Sequence, residues 1–548
     1  MGILRKLLRH RWPQWNSDWL LSHAERGNDA TDLQPWTESN AVRTLIHGSE
    51  YFPRLVRQLH DVGEGDLVLL AGWRMDAEQL IDADLSVADA LVRAAESGAS
   101  VRGLLWRSHP SWLVGSWEKN KELAQMVNRA GGAILLDHRV RRFGSQHQKF
   151  IVIRRPADPG RDVAFVGGLD LARSRADDWD HGGDPLPRDF TDAYGSTPAW
   201  HDVHLQIRGP AVGQVEQVFR ERWSDPQPMT LLPWHRHADQ LSGLPQRPSA
   251  LPAPTPPPPP VDGGGATVQL LRTYPHRRRT RAYPFAPQGE FSVARGFVKA
   301  LQHARHLVYI EDQYLWSSEV GEVLDEALHR NPALHIIAVR PRHPDQEGLL
   351  KLPPSLLGRG LPIRALRPSV RDRLTVLDIE KADGAPIYVH AKVVIIDDVW
   401  ASVGSANLNR RSWTHDSELS VAVLDGDTDS RHPIESATAA GPGDTAERPR
   451  RFARQLRLQL MREHLHRHEG DDADLIDPTQ AAQVIRDSAE ALDLWHEGGQ
   501  VGSRPPGRLR RHDLQQGSAW QLALASPLYR TMFDPDGRPV RRRLTRRF

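Results

Sequence analysis

The sequence predicts an α/β chain of two similar lobes, each a mixed β-sheet flanked by helices, with the active site at the lobe interface. Three observations predict it. Buried-strand runs alternate with helix-like stretches in both halves of the chain. A His-x-Lys tripeptide followed by a glycine-rich turn occurs in each half. The segment LPQRPSALPAPTPPPPPVDGGG, residues 244–265, separates the two copies.

The N-terminal lobe is expected over residues 1–243, with strands at Leu67–Trp73 and Val101–Trp106 and helices at Ser86–Glu96 and Asn120–Ala130. Residues 244–265 follow, a proline run that favours a stiff polyproline spacer and ends in three flexible glycines. The C-terminal lobe, 266–425, repeats the alternation. It has strands at His306–Ile310 and Leu334–Val339 around a helix near Val320–Arg330, and three more short strands after Tyr388. Residues 426–449, rich in Gly, Asp, Ser and Pro, predict a mobile loop. Residues 450–548 predict a helical extension and a basic tail. Phe452, Leu456 and Leu460 share one helical face, and Asp477-Pro478 caps a helix carrying Ala481, Ile485, Leu492 and Trp495.

Composition narrows the chemistry. A chain of 548 residues is too long for one ordinary core. The absence of cysteine removes disulfides, thiolate metal sites and a cysteine nucleophile, so a catalyst must come from His, Lys, Ser, Asp or Glu. Net charge is only +2, but basic residues bunch in LRKLLRHRW, in RPPGRLRRH around Arg508 and in VRRRLTRRF. Such runs suit an anionic surface as well as a solvated tail. No apolar stretch reaches the length of a signal or membrane segment, so the reading is a cytoplasmic protein, peripheral at a membrane when it touches one. Among 26 histidines, His138, His181, His201 and His204 fall in no recognised ligand spacing, so neither metal nor cofactor is expected.

The second lobe carries His390-Ala391-Lys392, four apolar residues, Asp397, six further residues, and Gly404-Ser405-Ala406-Asn407. On a strand His390 and Lys392 share one face while Val393 and Ile395 take the other. Two potentially cationic groups on one face of an apolar strand require an anion or hydrogen bonds, and a phosphate supplies such a partner. Gly404 permits close backbone approach, and the Ser405 hydroxyl and Asn407 amide are candidate donors to phosphoryl oxygens. The first lobe repeats the pattern with His147-Gln148-Lys149, an apolar strand Phe150–Ile153, and Gly167-Gly168-Leu169-Asp170. A third recurrence places one carboxylate after each motif, Asp202 in DVHLQI and Glu418 in ELSVAV.

These residues resemble the His-Lys-Asp motif, HxKxxxxD followed by GSxN, of the phospholipase D superfamily. The second copy fits completely. AGWRMD at Ala71–Asp76, WHDVHLQIRGPAV at Trp200–Val212 and YIEDQYLWS at Tyr309–Ser317 are similar to the segments that flank the site in two-motif members, and PLYRTMFDPDGRP is similar to their C-terminal segment. The first copy departs from the pattern: Arg154 stands where the motif has Asp, and RRPADPGRD lengthens the following loop. Asp158 and Asp162 are candidate substitutes.

The resemblance implies phospholipase D-type lobes and phosphodiester transfer through a phosphohistidine, with His147 as nucleophile and His390 as general acid and base. Lys149 and Lys392 clamp the phosphoryl oxygens with help from Gly168, Asp170, Ser405 and Asn407; Gly167, Gly404 and Asp397 are structural. Asp202 and Glu418 are expected to orient His147 and His390 respectively, as a carboxylate orients the histidine of a serine triad. The implied substrate is a glycerophospholipid hydrolysed to phosphatidic acid, or passed to another alcohol in transphosphatidylation. The alternatives are a cardiolipin or phosphatidyl-transfer synthase, a nuclease of the superfamily, and a catalytically idle lipid-binding scaffold. Nucleic acid is disfavoured as a partner because no basic stripe with interleaved aromatics is present, and a monomer is expected.

Overall fold

The computed structural model describes residues 12–108, 117–187, 190–344, 352–432, 448–513, 519–545 and 548. The N-terminal basic run and most of the loop predicted at 426–449 lie outside them.

The first half contributes β1 (Thr37–Ile46), β2 (Leu67–Gly72), β3 (Ser100–Trp106), β4 (Ala133–Asp137), β5 (Phe150–Arg154), β6 (Val163–Gly167) and β7 (Val203–Arg208). The second contributes β8 (Ala266–Tyr274), β9 (Leu307–Asp312), β10 (His335–Val339), β11 (Leu374–Ile379), β12 (Lys392–Ile396), β13 (Trp400–Gly404) and β14 (Glu418–Asp425), and the C-terminal extension adds β15 (Leu509–Arg511). All belong to one sheet. Its first half is ordered β1-β7-β6-β5-β2-β3-β4 and its second β8-β14-β13-β12-β9-β10-β11, with β15 at the outer edge. The two orders are the same. In each half the outer three strands run parallel, joined by helical crossovers, and the inner ones antiparallel. The sequence repeat is therefore a repeat of topology. β1 and β8 join the halves through an irregular antiparallel pairing around Asn40.

The central strands read as nearly continuous apolar runs because helices cover both faces. β2, β5, β6, β12 and β13 are buried along their whole length. Helix α1 (Ala211–Trp223) packs on the first half and, with Arg154 of β5, anchors the proline-rich segment: Trp223 Nε1 donates to Ser249 O at 2.8 Å, Arg220 to Pro252 O at 2.8 Å and Arg154 to Pro256 O at 2.6 Å. The segment is strapped along the lobe and does not stand off as a spacer. Its prolines lack N–H donors, so the bare carbonyls are left to the arginines.

Helices α2 (Arg451–Leu465) and α3 (Pro478–Glu497) cover the second half. Phe452, Leu456 and Leu460 are buried, as are Ala481, Ile485 and Leu492, while Trp495 is only half-buried. The Asp477 carboxylate accepts from the N–H groups of Thr479 and Gln480, which forms the expected cap. The basic run around Arg508 is neither a tail nor a free surface. Arg504 and Arg510 pair with Glu380, at 3.2 and 3.3 Å, and β15 extends the sheet beside β11.

Candidate active site

Each His-x-Lys segment leaves its own sheet half and runs parallel to the carboxylate-bearing segment of the other. Tyr388–Val389 pairs with Trp200–His201, and Gln146 bridges to Ser417. The backbone N–H of His390 donates to His201 O at 2.7 Å and that of His147 to Ser417 O at 2.9 Å. This register places each histidine beside the following carboxylate of the opposite half.

The carboxylates are therefore exchanged. His147 Nδ1 lies 3.0 Å from Glu418 Oε2, and His390 Nδ1 lies 2.6 Å from Asp202 Oδ2. The sequence-based pairing of Asp202 with His147 and Glu418 with His390 is corrected: a local carboxylate follows its own motif in the chain, but the parallel contact that aligns the two runs between halves. With Nδ1 committed in both rings, Nε2 is the nitrogen left to meet a substrate.

The lysines are similarly held. Lys149 Nζ donates to His147 O at 3.1 Å and sits 3.2 Å from Asp170 Oδ2; Lys392 Nζ donates to Gln313 Oε1 at 3.1 Å and to His390 O. An ammonium has three protons, so each lysine keeps one donor for an anion. Indole rings flank both imidazoles, Trp73 at 6.5 Å from His147 and Trp200 at 4.9 Å from His390 between ring centres. The His147 side chain is 16% exposed and that of His390 8%, so the site is deep but reachable.

Charge balance follows from burial. Desolvation, reinforced by Lys149 and Lys392, holds the His147 imidazole well below its ordinary value. Desolvation with Lys392 and Arg175 does the same to His390. Burial pushes the Asp202 carboxyl up to about 6 and Glu418 up to about 7, and draws Lys392 down to about 8. His147, His390, Asp202, Glu418 and Lys392 are each shifted toward the neutral form, because burial penalises the charged one. An anion between the rings restores proton affinity to both imidazoles.

Three of the four predicted phosphate contacts are turned to other partners. The Ser405 hydroxyl donates to Glu418 Oε2 at 2.5 Å and accepts from Leu419 N, so it holds the carboxylate. Asp170 accepts from the N–H groups of Trp73 and Arg74 and pairs with Lys149, so it positions the lysine. The Gly168 N–H donates to Val203 O and is not turned to the site. Asn407 alone keeps a buried amide oxygen without a partner.

The glycines are explained by close approach. A Cβ on Gly168 would overlap Asp202 Oδ1, one on Gly167 would come within 2.5 Å of His204, and one on Gly404 would overlap Ser420. Asp397, at φ +52°, accepts from the N–H groups of Arg305, His306 and Leu307 at 2.6 to 2.8 Å and closes the turn before β9. At the corresponding place Arg154 pairs with Asp162 at 2.7 Å and with Glu216. Asp162 thus joins the local network, but as the partner of Arg154 and the acceptor for Arg155 N. Asp158 takes no part in that network.

Similarity to known proteins agrees with this geometry. The family model described as "Phospholipase D" matches residues 63–340 and 366–503, and one described as "Cardiolipin synthase, PLD-like domain" matches 297–432. Phospholipase D alpha 1 of Nicotiana tabacum is 24% identical over 482 residues, covering 65% of this chain and 58% of that protein. Phospholipase D alpha 1 of Arabidopsis thaliana is 23% identical over 480 residues, with the same shares. The chain thus spans 58% of the length of these relatives. A solved structure of phosphatidylserine synthase from Haemophilus influenzae Rd KW20 superposes with a TM-score of 0.48 at 14% identity, covering 71% of this chain and 84% of that one.

Proposed function

This chain belongs to the phospholipase D superfamily, and from that premise we propose that it cleaves glycerophospholipids to phosphatidic acid through a phosphohistidine. The crossed His–carboxylate pairs are the observation that carries the reading. They commit Nδ1 of both imidazoles and offer two Nε2 atoms and two lysine ammoniums to one substrate.

His147 Nε2 attacks phosphorus, and its Nδ1 proton is held by Glu418, which stabilises the imidazolium character that develops. His390, oriented by Asp202, gives its proton to the departing alkoxide. It then removes one from water, or from an acceptor alcohol in the transfer reaction. Lys149 and Lys392 stabilise the non-bridging oxygens, with the Asn407 amide as a further donor. No step calls on a metal.

Transfer to an alcohol is the second reading, favoured by the cardiolipin synthase-like match over the second half. The same site serves both, because only the nucleophile that enters after His147 is loaded differs. An idle scaffold would have no reason to keep both crossed pairs.

An exposed apolar helix face supports a lipid substrate. The helix Ala519–Leu528 turns Leu522 and Ala525 inward, with Leu522 packed in the cluster around Trp316 and Leu357, and leaves Trp520 65% and Leu524 73% exposed one turn apart. Among the described residues no helix is long and apolar enough to cross a membrane.

The test is incubation with vesicles of phosphatidylcholine, phosphatidylethanolamine or phosphatidylglycerol, and separately with bis-nitrophenyl phosphate. Phosphatidic acid that disappears in His147→Ala is the expected result. Turnover of the small diester alone would replace the lipid reading with another diester substrate.

A further inference from the structure

A second histidine cluster lies behind the catalytic wall, outside the machinery described above. Four buried residues from four separate segments meet there: His47, which begins the helix His47–His60; His181 and His201 of the first half; and Glu463 of α2. Glu463 Oε1 lies 3.1 Å from His47 Nε2, 3.2 Å from His181 Nε2 and 2.9 Å from His201 Nδ1. All four atoms fall within 4.8 Å of one another. Ligand atoms of a tetrahedral site with metal–nitrogen bonds of about 2.0–2.1 Å stand roughly 3.3 Å apart, close to the three separations from Glu463 Oε1.

Proton bookkeeping favours a cation. His181 Nδ1 faces Asp177 Oδ2 at 3.1 Å, and His201 Nε2 faces Glu311 Oε2 at 2.6 Å. A carboxylate only accepts, so each of these nitrogens carries a proton, and the opposite nitrogen, which faces Glu463 Oε1, either carries a second proton or offers its lone pair to a metal cation. Three imidazole nitrogens converge on one carboxylate oxygen in a buried space, an arrangement that a shared cation stabilises. The carboxylate–histidine–metal relay produces this tautomer pattern. His47 adds an independent sign: it is 2% exposed, its Nε2 meets Glu463 Oε1 outside hydrogen-bond geometry, and His47 Nδ1 and Glu463 Oε2 are unpartnered. His47 and His181 hold left-handed backbone at φ +64° and +59°, a cost that non-glycine residues bear only where the surroundings impose it.

We propose that His47 Nε2, His181 Nε2, His201 Nδ1 and Glu463 Oε1 bind a structural divalent metal of the zinc class. Three imidazoles and one carboxylate in closed, buried, four-coordinate geometry suit zinc better than the oxygen-preferring calcium or magnesium. The ion pins α2 to the first half at the residue preceding Asp202, while the His47 N–H donates to Asp202 O at 2.9 Å. It thereby positions the carboxylate that orients His390 and touches no substrate. His138 and His204, which the sequence grouped with these residues, lie elsewhere: His138 against His235 and His204 stacked on Tyr51.

The test is elemental analysis of the full chain purified without chelator, alongside His181→Ala and His390→Ala. Wild type and His390→Ala should each carry about one zinc per chain, and His181→Ala about a tenth of that or less. Should His181→Ala fail to fold, cobalt substituted into wild type reports independently, through visible d–d bands of tetrahedral intensity. Wild type with neither bound metal nor cobalt bands overturns the proposal and leaves a buried histidinium–carboxylate network. Stoichiometric metal that a folded His181→Ala retains overturns it equally.

Discussion

His147 and Glu418 stand 271 residues apart in the chain and 3.0 Å apart in space, Nδ1 to Oε2. The mirror pair, His390 and Asp202, spans 188 residues and 2.6 Å. Each half thus supplies the carboxylate for the other half's histidine, and neither half holds a complete His–carboxylate pair.

The exchange predicts different losses for the two carboxylates. Glu418→Gln and Asp202→Asn should each lower kcat on a phospholipid on the order of 10²- to 10⁴-fold, as loss of a histidine-orienting carboxylate does elsewhere. With bis-nitrophenyl phosphate, whose leaving group needs no acid, Asp202→Asn should recover much of the initial cleavage rate and Glu418→Gln should not. Recovery in Glu418→Gln instead would reassign the pairs.

Burial draws Lys392 down to about 8. The side chain is a cation below that value and neutral above it, so affinity for an anionic diester should fall as pH rises through about 8. Lys392→Arg, which stays charged, should move the alkaline limb of kcat/KM upward even if the plateau is lower. An unmoved limb would assign it to another group.

Gly168→Ala places a methyl group where Asp202 Oδ1 lies. Displacing that carboxylate misaligns His390, and a loss of about 10²-fold in kcat is expected with far-UV circular dichroism unchanged. Wild-type kcat in the folded variant would show that Asp202 is not needed in this position.

Asp397→Ala should act on stability more than on rate. It orphans three backbone N–H groups beside β9, for a cost of roughly 2–4 kcal/mol in chemical denaturation. Asp397→Asn, which tolerates the left-handed backbone and keeps one acceptor, should lose less.

The repeat of His-x-Lys and glycine turns was legible in the sequence because strand alternation and glycine contacts are local. The two-lobe α/β class followed from it, though not the strand order, and the six side chains that the motifs single out come together in space. What the sequence concealed depends on contacts between halves. Nothing near Glu418 indicates that Ser417 will accept from the backbone of His147, and so nothing indicates which imidazole the carboxylate meets. Their place in the glycine-turn motifs points Ser405 and Asp170 to the phosphate, whereas folding turns them toward Glu418 and Lys149. His47 and Glu463 carried no signal at all: their meeting with His181 and His201 requires α2 to cross onto the first half. Arg154 was visible as a departure, but its partner Glu216 lies 62 residues on, in α1.

The most direct test of the account uses His390→Ala with bis-nitrophenyl phosphate. Cleavage needs no acid, but hydrolysis of the intermediate needs the missing base. A burst of about one nitrophenol per chain should appear, with a covalent adduct that peptide mapping places on His147. Steady turnover without a burst, or an adduct on any other residue, would contradict a phosphohistidine at His147.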